Sequence, residues 1–193
     1  MTITIATIGP NEHDIASRNL GLIHTSVGSY LWPSEVGEAL TAELGKDWMT
    51  WVMMGIISRE SRFGLLLDRE GKGDHGHGHG WFQIDDRSHR EFCASGKWKS
   101  LTDSIQYAMG ILVWTYKTLA DQFDLFTDYR ELFQGTVAGY NCGPGTRYGT
   151  KGVLGALHVG KDLDYNTTGR NYSQYVLQMA EFFGRLFHES LDQ

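Results

Sequence analysis

Apolar residues recur at helical spacing over five stretches of the chain, and the first of these begins only after residue 30. Residues 1–30 mix polar and apolar positions with weak periodicity, which predicts a loosely ordered lead-in ahead of one domain over 31–193. Pro33-Ser34-Glu35 opens the first helical pattern, since proline fits the first turn of a helix, and Gly45 stops it after Leu44. The stretch KDWMTWVMMGIISRES, residues 46–61, is too densely apolar for a surface helix. It predicts the buried central helix, with Glu60 near its C-terminal end.

The pattern then changes. Between Gly71 and Gly80 every second or third residue is glycine, which no stable helix accepts. Trp81-Phe82-Gln83-Ile84 predicts a short strand, so residues 70–86 suggest a small hairpin or β-lobe. After a loop through Lys99, residues 101–123 and 127–141 predict two more helices, with Asp128 and Glu131 suited to the first turn of the second. The glycines of NCGPG end that helix, and a loop rich in glycine and threonine follows. The last helix, over 171–189, places Tyr172, Val176, Met179, Phe183 and Leu186 on one face. The sum is a mainly α (α+β) domain with one small β element after the central helix.

Composition narrows what such a domain does. A net charge of −6 argues against a general nucleic-acid binder and against an anionic membrane surface as the main partner. No apolar run is long enough to span a bilayer. The N-terminus MTITIATIGPNEHD has neither the basic region nor the sustained apolar segment of a secretory signal. Cys93 and Cys142 cannot form a disulfide framework. They read as ordinary thiols, with a single bridge left open, and the chain as one made in a reducing compartment.

The candidate chemistry lies in carboxylates. Glu60 ends a nearly all-apolar helix, where apolar neighbours and the negative helix end both disfavour its charged form. A carboxylic acid kept protonated near neutrality is what a general acid requires. The plainer reading is a solvated helix-end Glu held by Arg59 or Arg62. Asp74, Asp85 and Asp86 lie on the glycine loop and at the end of the expected strand, where the chain can fold back over the helix end. Glycoside hydrolysis asks for one protonated acid and one ionised carboxylate, about 6.5–9.5 Å apart for inversion and about 5–5.5 Å for retention. Of Asp85 and Asp86, one should face away, because successive strand residues alternate.

Three blocks occur in order: GIISRES at 55–61, GDHGHGHGWFQIDDRSH at 73–89 and AGYNCGPG at 138–145. Together they resemble the goose-type lysozymes and, more distantly, the soluble lytic transglycosylases, over about residues 45–185. The resemblance implies a lysozyme-like fold, a helical domain with a small antiparallel sheet beside a saccharide cleft. It also implies cleavage of the β-1,4 bond between N-acetylmuramic acid and N-acetylglucosamine in bacterial peptidoglycan. By that resemblance Glu60 matches the catalytic acid, and Asp74 and Asp85 match the residues that position and activate the attacking water, with inversion. Gln83, His89, Tyr140, Asn141 and Tyr172 match positions that line the cleft; Tyr172 reads equally well as a core residue of its helix.

The resemblance implies no cofactor and no metal. Neutral imidazoles from His75, His77 and His79 would share a face if the segment were extended, so a Zn²⁺, Ni²⁺ or Cu²⁺ site, sugar contacts and a solvated loop all stay open. The chain departs from the secreted vertebrate members, which carry N-terminal disulfides, because it has no cysteine before Cys93. With no recognisable signal, the expectation is a monomeric enzyme that is cytoplasmic before release and then acts on the cell wall. A phage lysin, an interbacterial effector with its own inhibitor or immunity protein, and a family member exported by an uncleaved route all fit. Two rival functions remain: a lytic transglycosylase that uses Glu60 alone and forms 1,6-anhydro products, and a glycan- or metal-binding module that does not cut.

Overall fold

The computed structural model describes residues 8–28 and 31–191, with the side chains of 189–191 excepted. The described residues form eight α-helices: α1 (Pro10–Val27), α2 (Ser34–Leu44), α3 (Trp48–Ser61), α4 (Arg90–Ala94), α5 (Leu101–Ala120), α6 (Tyr129–Cys142), α7 (Gly152–His158) and α8 (Tyr172–Leu191). Three two-residue strands, β1 (Lys72–Gly73), β2 (Gly78–His79) and β3 (Ile84–Asp85), follow α3 and make one antiparallel sheet in the order β1-β2-β3. Gly73 pairs with Gly78, and Gly78 with Asp85.

Helix α3 runs through the middle. Trp51, Val52, Met53, Met54, Ile56 and Ile57 are fully buried, as the density of apolar positions predicts. Each such side chain contributes about 1.5–3 kcal/mol relative to exposure. Its main partner is α8, and the two approach closely at Gly55, where an added Cβ would lie 2.4 Å from the carbonyl oxygen of Val176. Any side chain at 55 would therefore push the two helices apart. That contact sits little more than one turn from Glu60 on α3 and one turn from Tyr172 on α8. A group of edge-on rings, Trp32 with Trp48, Tyr116 and Phe133, ties the chain before α2 to α3, α5 and α6.

Local chemistry explains the helix starts. Asp128 accepts the backbone N–H of Glu131 at 2.7 Å, and Glu131 reaches back to the N–H of Thr127 at 2.6 Å, closing the first turn of α6. Ser100 caps α5 through the N–H of Asp103. The start of α8 is held by Asp164, a buried carboxylate that accepts from the backbone of Ser173 at 2.8 Å and Gln174 at 3.2 Å and from the Ser173 hydroxyl at 2.7 Å. A negative group suits the positive end of a helix, and here it fixes the position of Tyr172.

The structure departs from the sequence expectation in four places. Residues 10–27, expected in a loosely ordered lead-in, form α1, with Ala16, Leu20, Ile23 and Val27 in the core; residues 1–7 lie outside the described residues. Trp81-Phe82-Gln83 is a turn and not a strand, because Gly80 and Gln83 are left-handed and only Ile84–Asp85 pairs. The segments read as loops at 87–99 and 143–170 contain α4 and α7. On α8, Leu186 is 40% exposed, and Phe187, one residue on, completes the buried face with Tyr172, Val176, Met179 and Phe183.

Candidate active site

Helix α3 ends in a sharp reversal, with Arg62 and Phe63 both left-handed at φ 50° and 56°. Non-glycine residues hold that conformation only where their surroundings enforce it. Phe63 is buried, and Arg62 donates to the buried Glu12 carboxylate of α1 at 3.1 and 3.2 Å. Ser61 donates to the carbonyl of Trp81 at 2.8 Å, which ties the end of α3 to the β-lobe. Glu60 is thereby set at the boundary between the helical body and the lobe.

A cleft of about 880 Å³ opens there. All eight residues singled out from the sequence line it: Glu60, Asp74, Asp85, Gln83, His89, Tyr140, Asn141 and Tyr172. Among the further lining residues, Arg87, Trp114 and Thr168 escaped the sequence reading, and Arg59 entered it only as a possible partner of Glu60. Arg87 stands inside the quoted QIDDRSH block, and a cation next to two aspartates was the signal that could have found it.

Burial is the dominant influence on Glu60 and raises its pKa from 4.5 to about 7; the hydrogen bond from Tyr172 and the charge of Arg59 pull the other way. The Tyr172 hydroxyl donates to Glu60 Oε1. Arg59 is drawn off toward the loop before α8, donating to the carbonyl of Thr168 at 3.0 Å and to Asn171 Oδ1 at 3.1 Å. Its guanidinium also lies 5.0 Å from the ring centre of Tyr175. Tyr140 donates its hydroxyl to the carbonyl of Phe82 at 3.0 Å, and Asn141 Oδ1 accepts the N–H of Thr168 at 2.8 Å. The first bond ties α6 to the β-lobe and the second ties it to the loop before α8.

The lobe carries the other carboxylates, and they are in a different state. Asp85 accepts from the Arg87 backbone at 2.8 Å and from its guanidinium at 2.7–3.0 Å; the same guanidinium reaches Asp74 at 2.6 Å. The Arg87 hydrogen bonds hold the Asp85 pKa below the usual carboxylate value. Asp74 sits in the left-handed turn between β1 and β2, at φ 45°. Gln83 is also left-handed, and its amide fills the space over the Gly73–Gly78 pair, where a Cβ on either glycine would come within 2.3 Å of Gln83 Oε1. His89 places Nδ1 3.0 Å from the Tyr107 hydroxyl, and burial lowers its pKa despite nearby Asp85.

Asp86 faces elsewhere. It is bonded to His77 Nδ1 at 2.9 Å and His79 Nε2 at 3.2 Å, and neither these histidines nor His75 lines the cleft. His79 is buried against Trp98, whereas His75 is exposed in the turn, so the three do not converge. No group of three or more His, Cys, Asp or Glu among the described residues is arranged to hold a metal ion. Cys93 and Cys142 are both free thiols. Burial pushes the Cys142 thiol, at the edge of the cleft, up to about 12, so it stays protonated and unreactive.

A helical body, a three-stranded lobe after the central helix and a polar cleft between them with a carboxyl at its junction define a lysozyme-like α+β protein. Comparison with known proteins agrees. The family model described as "Lysozyme g" matches residues 45–186. The chain is 33% identical over 132 residues to a lysozyme g of Struthio camelus, covering 68% of this chain and 57% of that protein. It is 32% identical over 170 residues to one of Gallus gallus, covering 88% and 68%, and 36% identical over 135 residues to one of Takifugu rubripes, covering 68% and 64%. The chain therefore belongs to the lysozyme g family. Its match spans about three fifths of the length of the first of these relatives. Among the described residues no helix is long and apolar enough to cross a membrane.

Proposed function

We propose that the chain is a peptidoglycan hydrolase, a muramidase that cleaves the β-1,4 bond between N-acetylmuramic acid and N-acetylglucosamine at the bacterial cell wall. One observation carries the reading. A carboxyl with a pKa near 7 shares a cleft with two carboxylates that one arginine binds together. Glu60 gives its proton to the glycosidic oxygen as the bond to the anomeric carbon breaks. A water held by Asp74 and Asp85 adds to that carbon from the opposite face and passes its proton to the carboxylate pair, which gives inversion. Gln83, His89, Tyr140 and Asn141 are the sugar contacts, and Tyr172 orients the acid. Solvent returns the proton to Glu60 after each turnover.

A second reading has its own support. Arg87 makes Asp85 a weak base, while Glu60, with a pKa near 7, is suited to give a proton and take one back. That favours a lytic transglycosylase, in which the sugar's own 6-hydroxyl replaces water. Mass spectrometry of digested peptidoglycan separates the two. Free reducing ends are the expected result, whereas 1,6-anhydro ends would overturn hydrolysis in favour of the second reading. A Glu60→Gln protein that still digests peptidoglycan would sink both.

A further inference from the structure

Tryptophan is rarely left in solvent without a use, since its ring is the largest apolar surface a side chain offers. Of the six tryptophans here, five are buried or packed against other rings and the core. Trp114 is the exception: it is 58% exposed, on α5, and it lines the cleft. Spacing of four and three residues puts Tyr107, Ile111 and Trp114 on one face of that helix. At the near end of this stripe Tyr107 is fixed by His89 and by Phe92, whose ring stacks on it at 3.8 Å. At the far end the indole ring has no ring partner among the described residues, and the Thr118 hydroxyl meets only the backbone carbonyl of Trp114.

We propose that Trp114 is a stacking platform for a pyranose ring of the substrate glycan, forming a sugar subsite on the α5 wall of the cleft. The inference rests on the glycan-cleaving reading above and extends it. The axial C–H bonds of a β-linked N-acetylhexosamine make one face of the sugar apolar, and that face matches an indole. The sugar's hydroxyl and acetamido groups need polar partners nearby. Asn141 lines the same cleft and commits only its oxygen, to Thr168, which leaves its amide N–H groups as donors. Ile111 and Trp114, which both line the cleft, then guide the strand along α5, so Trp114 selects for longer glycans.

The test uses the full chain with a β-1,4-linked N-acetylglucosamine hexamer and with its dimer. Because Trp114 is the exposed indole, the hexamer should shift tryptophan emission to the blue and protect it from acrylamide quenching, and the dimer should do so far less. Trp114→Ala should lose both signals. Its KM for peptidoglycan should rise about three- to tenfold, the range of one aromatic contact, by more than any fall in kcat, and Trp114→Phe should recover most of that loss. An indole that stays equally quenchable in saturating hexamer, or a Trp114→Ala protein with unchanged KM, overturns the proposal. The hexamer signals do not depend on turnover. A chain that protects Trp114 yet never cuts peptidoglycan would refute the hydrolase reading alone, and a chain that cuts with an unprotected Trp114 would refute the platform alone.

Discussion

The end of α3 and the tip of the β-lobe carry the same functional group in opposite environments. At the helix end, Glu60 is surrounded by buried side chains, with the Tyr172 hydroxyl as its direct partner, and it holds its proton up to about pH 7. Across the cleft, Asp74 and Asp85 are solvent-accessible and share one guanidinium, which keeps Asp85 ionised well into acid. Burial disfavours a charge and a cation favours it, so two carboxylates of similar intrinsic acidity become a proton donor and an anion a few residues of fold apart. The two are also held by different means. Glu60 depends on helix packing between α3 and α8, whereas Asp74, in a left-handed turn, and Asp85, at the end of β3, depend on the exposed guanidinium of Arg87.

Removing the acid should have the largest effect. Glu60→Gln should lower peptidoglycan turnover by about 10³-fold or more, the scale of general acid catalysis, measured as loss of turbidity of cell-wall suspensions. The same change should stabilise the fold above neutrality. Between pH 4.5 and about 7 the folded protein keeps a proton on Glu60 that the unfolded chain releases, so stability falls as pH rises through that window. Glutamine removes that loss while keeping an acceptor for Tyr172. Thermal melts should show the variant unchanged near pH 4 and more stable than the parent at pH 8, by up to about 3 kcal/mol. A variant that is inactive but not stabilised at pH 8 would mean that Glu60 is ionised in the fold.

The next largest effect is expected on the lobe. Arg87→Ala leaves Asp74 and Asp85 to repel each other, and misplacing both should cost on the order of 10- to 100-fold in kcat/KM. Because Arg87 is largely exposed and its ion pairs are screened by solvent, the melting temperature should barely change. Without the cation Asp85 protonates at higher pH, so the acidic limb of the pH–rate profile should move up while the alkaline limb stays. Tyr172→Phe should do the reverse. It removes a bond that favours ionised Glu60, so the alkaline limb should move up and the acidic limb stay, with activity at pH 6 within about tenfold of the parent. If both variants shifted the same limb, the division of roles between the two regions would fail.

How far the sequence exposes this division follows from the range of the interactions. Helix α3 was legible because Trp48 to Ser58 is apolar on every face, and α6 because Asp128 and Glu131 cap it within four residues. The acid could be inferred for the same local reason, as Glu60 ends that apolar run. Helix α1 was not legible, since Ile15 and Leu22 lie off its buried stripe and no side chain caps its start. Trp81-Phe82-Gln83 misled because an apolar run reads as a strand, whereas left-handed Gln83 depends on contacts with Gly73 and Gly78. Asp85, two residues before Arg87, is a local signal for that cation, but its second partner Asp74 is 13 residues away and the Ser173 that Asp164 holds is nine away, and only folding brings these near.

The smallest expected effect tests the finest point of the comparison, the adjacent residues Asp85 and Asp86. Asp85 turns to Arg87 and the cleft, and Asp86 turns to His77 and His79 on the other side of the lobe. The hydrogen bonds to His77 and His79 hold Asp86 below the usual carboxylate value, as Arg87 does for Asp85, so acidity alone does not distinguish them. Position does. Asp86→Asn keeps an oxygen acceptor for the histidines and leaves the cleft intact, so peptidoglycan turnover at pH 6 should stay within about twofold of the parent, as for an ordinary surface change. Asp85→Asn should fall well outside that range, because a neutral amide gives Arg87 no counter-charge and accepts no proton from water. Parallel turnover assays of the two variants, each checked by its melting temperature, provide the measurement. Equal losses would mean that the lobe needs both negative charges and that orientation along β3 does not select the working carboxylate.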